Sequence, residues 1–353
     1  MGPVRRDQYP HSHIIDCVLG ARAAFDAPLS GDVNGGSNLQ VLNGDNGSLT
    51  GSYIAYSEAM GAYMRNFTQG WNISNNEFYA NGQSNDICDG LDIAYNSSNF
   101  NVIGNLFKNN GGIGLDTYLS SGGHTFENNT SVGNGLIGRE TAGMRIYGGQ
   151  GSTIRRNLIY QNVGAGVLVT SDARKHIITE NSFYDNGNQL PTGGSTLSQQ
   201  IAIDLLNSSN SHEKGSAPFI TLNDEGDGDL GGNYLLNFPV IESAVLSGGN
   251  LSVSGFAPAG AKIEFYRGDL YPGAVMPQGR DFLFARTEGS VDDADASTGA
   301  YGPGVVNGTV QGTESAANRF SFTVPAPAGL NASDVLTATA TLVNSGTSEF
   351  GGS

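Results

Sequence analysis

The chain has 353 residues, of which only 14% are charged, and its 17 Lys and Arg stand against 33 Asp and Glu, a formal net charge of −16. This balance argues against nucleic acid and anionic membrane surfaces as partners, because both are bound by cationic surfaces. No stretch approaches the roughly 20 apolar residues of a membrane span, so we expect no membrane insertion.

Residues 1–48 show no clear repeat. We expect them to form an N-terminal cap or first irregular coils, because the ends of repetitive β-structures need covering against edge pairing. This segment contains Cys17, and the second cysteine of the chain is Cys88. A single bridge between them and two free thiols are both compatible with the sequence.

Five segments between residues 73 and 186 follow one template, in which two Asn stand five positions apart. They read ISNNEFYANG, VIGNLFKNNG, FENNTSVGNG, IRRNLIYQNV and ITENSFYDNG. The first Asn column comprises Asn76, Asn105, Asn129, Asn157 and Asn181, and the second comprises Asn81, Asn110, Asn134, Asn162 and Asn186. Successive steps in either column are 29, 24, 28 and 24 residues. So regular a spacing indicates a stack of similar coils.

A second block follows each Asn pair, as in GLDIAY, GLDTYL and GMRIYG, and is typical of a short strand with alternate apolar residues inward. Because no 3.6-residue stripe is present, the repeat predicts a parallel β-helix rather than a helical solenoid. We expect the Asn residues to take left-handed bends and to hydrogen-bond their copies in neighbouring coils. An earlier, degenerate coil places Ser52 and Ser57 in the Asn columns and residues 62–65 on the second block.

Residues 49–237 carry this repeat, and they resemble the right-handed parallel β-helix family of pectate-lyase-like and NosD-like proteins. The resemblance implies the right-handed sense of the coil. It also implies a secreted or cell-surface bacterial protein, whose partners are polysaccharides or neighbouring surface proteins. The fold alone does not choose among enzymes, adhesins and scaffolds.

Residues 238–353 follow a different pattern, with alternating strands such as LSVSGFA, AKIEFYR, RFSFTVP and VLTATATLV separated by Gly, Pro and Asn. About 115 residues of this kind predict an Ig-like β-sandwich. The segment resembles the Ig-like modules that follow β-helices in large bacterial surface proteins, where such a module serves as a spacer or cap. The predicted fold class is therefore all-β, a right-handed parallel β-helix followed by an Ig-like β-sandwich.

Alternation along the second-block strands sends every second residue outward. In the middle coils these outward residues are aromatic or charged, namely Tyr63, Asp92, Asp116, Tyr118, Arg145 and Tyr147. Aromatic rings pack on sugar faces and charged groups bind hydroxyls or uronates, so the patch is predicted to bind a glycan. On a merely solvated strand the same residues would deter aggregation, and that alternative stays open.

Two coils are longer than the others, and their extra residues come just before the second-block strand. We expect them to wall a cleft and to bring Asp86, Asp89, Arg139 and Glu140 to its edge. A lyase or hydrolase would use Asp92, Asp116 and Arg145 as its catalytic residues. No catalytic motif of the family matches residue by residue, so the sequence favours a binding or adhesive role. A third hypothesis is self-association into filaments through the solenoid ends.

The segment NDEGDGDLGGN offers oxygen ligands at Asp224, Asp227, Asp229 and Asn233. Oxygen donors in a Gly-rich turn suit Ca²⁺, although this loop lacks the Glu that closes an EF-hand. A solvated acidic turn would have the same composition. Ca²⁺ at the junction between the two predicted domains is thus the one cofactor that the sequence indicates.

Overall fold

The computed structural model describes residues 12–21, 26–28, 33–83, 88–274, 276–295 and 297–352. Parts of the predicted N-terminal cap, and the predicted cleft residue Asp86, lie outside these ranges. The regular elements of the described residues are β-strands, apart from one short 3-10 turn at Gly232–Leu235. No helix among them is long and apolar enough to cross a membrane.

Three parallel sheets of seven strands each make up the first part of the chain. The first sheet contains β1 (His13–Ile15), β4 (Ser48–Thr50), β7 (Asn72–Ser74), β10 (Asn101–Ile103), β13 (Thr125–Glu127), β16 (Thr153–Arg155) and β19 (Ile177–Thr179). The second contains β2 (Val18–Leu19), β5 (Tyr53–Ala55), β8 (Glu77–Tyr79), β11 (Leu106–Lys108), β14 (Thr130–Val132), β17 (Leu158–Tyr160) and β20 (Ser182–Tyr184). The third contains β3 (Leu39–Leu42), β6 (Ala62–Arg65), β9 (Leu91–Ala94), β12 (Leu115–Thr117), β15 (Met144–Ile146), β18 (Val167–Val169) and β21 (Ile203–Leu205).

Each coil contributes one strand to every sheet, and each strand pairs in parallel with its copies in the coils before and after. This is the predicted parallel β-helix. Its interior is a continuous apolar core in which rings of neighbouring coils stack, as Phe78 does on Phe107 with centroids 5.0 Å apart. The strands of residues 12–48 already belong to the three sheets. The division of the chain into three predicted segments stays a prediction.

The two Asn columns run along the inside of the solenoid as hydrogen-bonded ladders. Asn105 Nδ2 donates to Asn129 Oδ1 at 3.0 Å and to the carbonyl oxygen of Ile73 at 2.9 Å. In turn, Asn105 Oδ1 accepts from the main-chain and side-chain nitrogens of Asn76, each at 2.9 Å. Every amide therefore satisfies main-chain groups that a corner between strands leaves without a sheet partner.

The degenerate coil continues both ladders with serine. Ser52 N donates to Asn76 Oδ1 at 2.9 Å, and Ser57 N donates to Asn81 Oδ1 at 3.3 Å. The strand predicted at residues 62–65 is β6.

The expectation that the column Asn take the left-handed bends is wrong. The bends fall instead on the residue before each column Asn. Examples are Asn75, Ala80, Asn128 and Asp185, with φ between 51° and 55°. A bend at this position turns the following side chain into the solenoid, which explains why the column Asn are at most 2% exposed. Their buried amides thus serve as hydrogen-bonding groups and not as turn formers.

A third column stands at the remaining corner, and its residue types vary. Phe100 N donates to His124 Nδ1 at 3.2 Å, and His124 N donates to Ser152 Oγ at 3.2 Å. Ser152 N then donates to His176 Nδ1 at 3.2 Å, and His176 N donates to Asn233 Oδ1 at 2.9 Å. Because the identity changes from coil to coil, a search for repeated letters misses this column.

Two four-stranded antiparallel sheets follow the solenoid. One has the order β22 (Val240–Ser247), β23 (Asn250–Ala257), β29 (Glu314–Pro325), β26 (Thr298–Tyr301), and the other has the order β25 (Gln278–Thr287), β24 (Lys262–Asp269), β30 (Leu336–Leu342), β31 (Gly346–Thr347). A small hairpin joins β27 (Val305–Val306) to β28 (Thr309–Val310). Apolar residues of both sheets share one core, so the sheets pack face to face.

The antiparallel region covers the C-terminal end of the solenoid. Gln278 Oε1 accepts from the main-chain and side-chain nitrogens of Asn186 at 3.2 and 3.0 Å, and its Nε2 donates to Asn186 O at 2.7 Å. Tyr266 and Phe350 belong to the hydrophobic core of the solenoid. Gln278 therefore completes the second Asn column beyond its last coil.

Candidate functional site: a tyrosine strip over a buried acid cluster

The outer face of the third sheet brings the predicted patch residues into register. Along this face the stacked positions are Gln40, Tyr63, Asp92, Asp116, Arg145, Leu168 and Asp204. The alternation read from the sequence is thus the alternation of the sheet. Whether the face is exposed depends on what covers it.

The charged members of the predicted patch are buried, which corrects the expectation of an open charged groove. Asp92 is 3% exposed, and Asp116 and Arg145 are each 1% exposed. The segment that follows β21, residues 207–219, folds back over this face, and Arg145 Nη1 donates to the carbonyl oxygen of His212 at 3.0 Å. As folded, none of these three side chains meets solvent enough to contact a glycan.

Arg145 is held by two acids. Its Nε and Nη2 donate to Asp116 Oδ1 and Oδ2 at 2.8 and 2.7 Å, and its Nη1 donates to Glu140 Oε1 at 2.6 Å. Bidentate pairing of this kind fixes the guanidinium plane. Burial raises the pKa of Glu140 to about 7, although the charge of Arg145 opposes that rise.

Asp89 and Asp92 complete what we call the buried acid cluster, consisting of Asp89, Asp92, Asp116, Glu140 and Arg145. Oxygens of Asp89, Asp92 and Asp116 lie within 4.8 Å of one another. Burial raises the pKa of Asp89 and of Asp92 well above the ordinary value, and neighbouring carboxylates add to both rises. Loss of water around the charged form is the main cause, and repulsion between like charges in a surrounding of low polarity adds to it.

The aromatic members of the predicted patch, Tyr63, Tyr118 and Tyr147, remain half-exposed, and together with the exposed Tyr95 they form what we call the tyrosine strip. Ring centroids of Tyr95 and Tyr118 are 5.5 Å apart, and those of Tyr118 and Tyr147 are 5.0 Å apart. Burial, then the charges of Asp92 and Tyr95, raise the pKa of Tyr63. His212 extends the strip, with its ring 5.3 Å from that of Tyr147.

The sequence predicts some residues of this site and does not predict Tyr95. It brought Asp89 and Glu140 to the patch, and both belong to the acid cluster, but they are 1% and 2% exposed and not at a cleft edge. Arg139 is exposed. Tyr95 is not predicted from the sequence, because it follows β9 at a bend with φ of 50°. Strand alternation no longer determines where a side chain points at such a bend.

The predicted calcium loop does not use its asparagine as a ligand. Burial, then the charges of Asp224 and Asp227, raise the pKa of Asp229 to about 6. Asn233 is fully buried, its Oδ1 accepts from His176 N, and its Nδ2 donates to main-chain oxygens. Because Asn233 closes the third corner column, it is removed from the predicted ligand set, and Ca²⁺ binding by the aspartates stays a prediction.

The two cysteines are not bonded to each other: Cys17 is half-buried and Cys88 is buried. Cys17 Sγ donates to the carbonyl oxygen of Ile15. Of the two alternatives left open by the sequence, the structure therefore has two thiols without a disulfide.

Comparisons with known proteins bear on the solenoid. Residues 12–139 match the family model described as right handed beta helix region, and residues 83–203 match that described as periplasmic copper-binding protein (NosD). A tailspike protein 2 enzymatically active domain of bacteriophage CBA120 aligns at 10% identity and a TM-score of 0.22, over 92% of this chain and 56% of that one. This chain therefore covers little more than half of that domain. The two family matches and the coil geometry together make the parallel part of the chain a right-handed β-helix.

Proposed function

We propose that this protein binds a glycan on the tyrosine strip and acts outside the cytoplasm, at the cell surface or in the periplasm. The observation that carries the proposal is the run of four half-exposed or exposed rings across successive coils. Exposed aromatic rings offer apolar faces to sugars, and their hydroxyls offer hydrogen bonds. An extended polysaccharide lying across the coils would meet one ring per coil.

The acid cluster supports the strip from beneath. Arg145 lies 6.0 Å from the ring centroid of Tyr118 and 5.5 Å from that of Tyr147, within the range of a cation–π contact. The rings therefore rest on a fixed buried cation and are ordered before a ligand arrives. A surface with fewer degrees of freedom to lose binds with a smaller entropic cost.

Burial of the predicted catalytic residues favours binding over catalysis. A general acid or base must come within hydrogen-bond reach of the substrate atom it serves. Asp116 and Arg145 instead use their polar atoms on each other and on Glu140. A polysaccharide lyase or hydrolase at this face would need the covering segment 207–219 to move away.

The proposed location outside the cytoplasm is based on the match to the periplasmic family model. The residues of this chain do not support the copper binding that the description of that model names. Copper sites favour imidazole and sulfur ligands. Among the described residues, the group in which three or more His, Cys, Asp or Glu ligand atoms converge is made of aspartates. We therefore carry over a periplasmic or extracellular location and not copper binding.

For the antiparallel region we propose an Ig-like module that caps the solenoid. Support comes from its two face-to-face sheets and from Gln278, which completes an Asn column. With that end covered, filament growth would have to begin from the N-terminal coils. Self-association stays a prediction.

The test of glycan binding is a glycan array followed by titration of the best ligand. Tyr118→Ala and Tyr147→Ala are each expected to weaken binding roughly tenfold, because each removes a ring from the middle of the strip. The matched control is Tyr160→Ala, which truncates a half-buried ring stacked on Tyr184 in the second sheet. Unchanged affinity in both strip variants would contradict the proposal.

A further inference from the structure

The third-sheet face contains a group of acids whose charge is not balanced by the residues that the structure describes. With Glu140, the three converging aspartates place four carboxylates around the single guanidinium of Arg145. Arg145 pairs closely with two of them, Asp116 and Glu140. Buried charges without compensation are costly, so something must offset the rest.

Two oxygens in this group lack any partner among the described protein atoms. They are Asp92 Oδ1 and Glu140 Oε2, which belong to residues 3% and 2% exposed. Buried carboxylate oxygens are ordinarily hydrogen-bonded. Their lone pairs point to a ligand that accepts electron density from oxygen.

We propose that a Ca²⁺ ion binds among the carboxylates of Asp89, Asp92 and Asp116, beneath the tyrosine strip. An all-oxygen, all-carboxylate set suits a hard cation. Oxygens bound to one Ca²⁺ ion at about 2.3–2.6 Å lie at most roughly 5 Å apart, and the oxygens of these three residues are within 4.8 Å of one another. Mg²⁺ fits less well, because it usually keeps several waters and this site is covered.

The ligands are held in place before an ion arrives. Asp89 Oδ1 accepts from Ile113 N at 2.6 Å, and a Cβ on Gly112 would lie 2.6 Å from that oxygen. Glycine at position 112 therefore leaves the room that the Asp89 carboxylate occupies. Asp116 is fixed by its bidentate contact with Arg145.

This site differs from the predicted loop at residues 224–229 and is independent of the glycan proposal. It joins residues 24 and 27 positions apart, since Asp89 precedes a strand that stacks on β12. An ion here would link neighbouring coils of the solenoid. Loss of the ion would loosen the buried acid cluster beneath the tyrosine strip but would leave all the tyrosine rings in place.

The experiment measures Ca²⁺ retained by the whole chain after loading and gel filtration in Ca²⁺-free buffer. Asp92→Asn is expected to retain one ion fewer per chain than the wild type. Asp224→Asn, in the acidic loop, is the matched control, and the loss caused by Asp92→Asn should be the same with Asp or Asn at position 224. Equal Ca²⁺ content with Asp or Asn at position 92 would overturn the proposal.

Thermal unfolding gives a second reading that does not depend on retention. Ca²⁺ is expected to raise the midpoint by about 5 °C over that in EDTA, both in the wild type and in Asp224→Asn, and adding Asp92→Asn to Asp224→Asn should abolish that rise. In EDTA, Asp92→Asn should unfold at the same temperature as the wild type or higher, because it removes a buried negative charge. If Ca²⁺ leaves the wild-type midpoint unchanged, shared protons balance the cluster and the ion does not bind there.

Discussion

At the scale of single residues, the buried amides of the Asn columns matter most for stability. Asn129 Nδ2 donates to Val102 O at 2.8 Å and to Asn157 Oδ1 at 3.0 Å, and its Oδ1 accepts twice from Asn105. Asn129→Ala leaves these groups unpaired in the core, so we expect the free energy of unfolding to fall by roughly 2–4 kcal/mol. Urea denaturation measures the change.

Asn101→Ala is the control for this substitution. Asn101 is exposed, and its side chain makes one hydrogen bond within the described ranges, from its Nδ2 to Asn72 Oδ1 at 2.9 Å. Its removal should change stability by about 0.5 kcal/mol, because water replaces the lost partner. Equal losses for the two variants would mean that the ladder is no stronger than a surface contact.

The two histidines of the third corner column make stability depend on pH. Burial lowers the pKa of His124 to about 3 and that of His176 to about 4. In each ring Nδ1 accepts a main-chain N–H, so the folded state needs the neutral form. The unfolded state takes up a proton near pH 6.5, and the stability due to these residues is therefore lost as pH falls below that value.

His124→Asn isolates this effect, because Asn233 shows that an amide oxygen can accept in the same column. Between pH 7 and pH 4.5 the variant should lose about 2 kcal/mol less unfolding free energy than the wild type. Urea titrations at the two pH values provide the comparison. Identical pH slopes would mean that His124 is protonated in the folded state.

At the scale of elements, five third-sheet strands, β6, β9, β12, β15 and β18, are each preceded by a glycine that packs closely against the next coil. A Cβ on Gly114 would lie 2.7 Å from Gly143 O and 2.8 Å from Asn134 Nδ2. The last coil has Ala202 at this position, and β21 is the terminal strand of its sheet. Ala is thus accepted where no further third-sheet strand follows.

Gly114→Ala is accordingly expected to cost about 1–3 kcal/mol of unfolding free energy through overpacking against the next coil. Gly228→Ala is the control, since a Cβ there would have no neighbour closer than 3.8 Å. Urea denaturation of both variants measures the difference. If Gly114→Ala has the same unfolding free energy as the wild type, the neighbouring coils make room for the added methyl group without a cost in stability.

Repetition explains what the sequence could predict at this scale. The predicted positions of Ser52, Ser57 and β6 are confirmed, because each lies one coil before a position of the repeat. The repeat also gave the outward direction of Asp92 and Asp116, but alternation says nothing about what lies over a face. Residues 207–219, which bury them, follow the last repeat and carry no periodic signal.

At the scale of the whole molecule, the antiparallel region and the solenoid share a core and a hydrogen-bond ladder. Glu264 Oε2 accepts from Glu180 N at 2.9 Å, and Thr347 Oγ1 accepts from Ile178 N at 2.9 Å. Main-chain groups of the last coil would otherwise face solvent as an open sheet edge. The two parts are therefore expected to unfold together.

Gln278→Ala tests this coupling with the single tryptophan of the chain, Trp71, which is 1% exposed in the solenoid core. The variant leaves buried groups of Asn186 without partners, so the urea midpoint of Trp71 fluorescence should fall, by roughly 2 kcal/mol in free energy. Thr323→Ala, which removes an exposed contact with Ser252, should leave that midpoint unchanged. If Gln278→Ala leaves the urea midpoint of Trp71 fluorescence unchanged, the coils near Trp71 unfold independently of the antiparallel region.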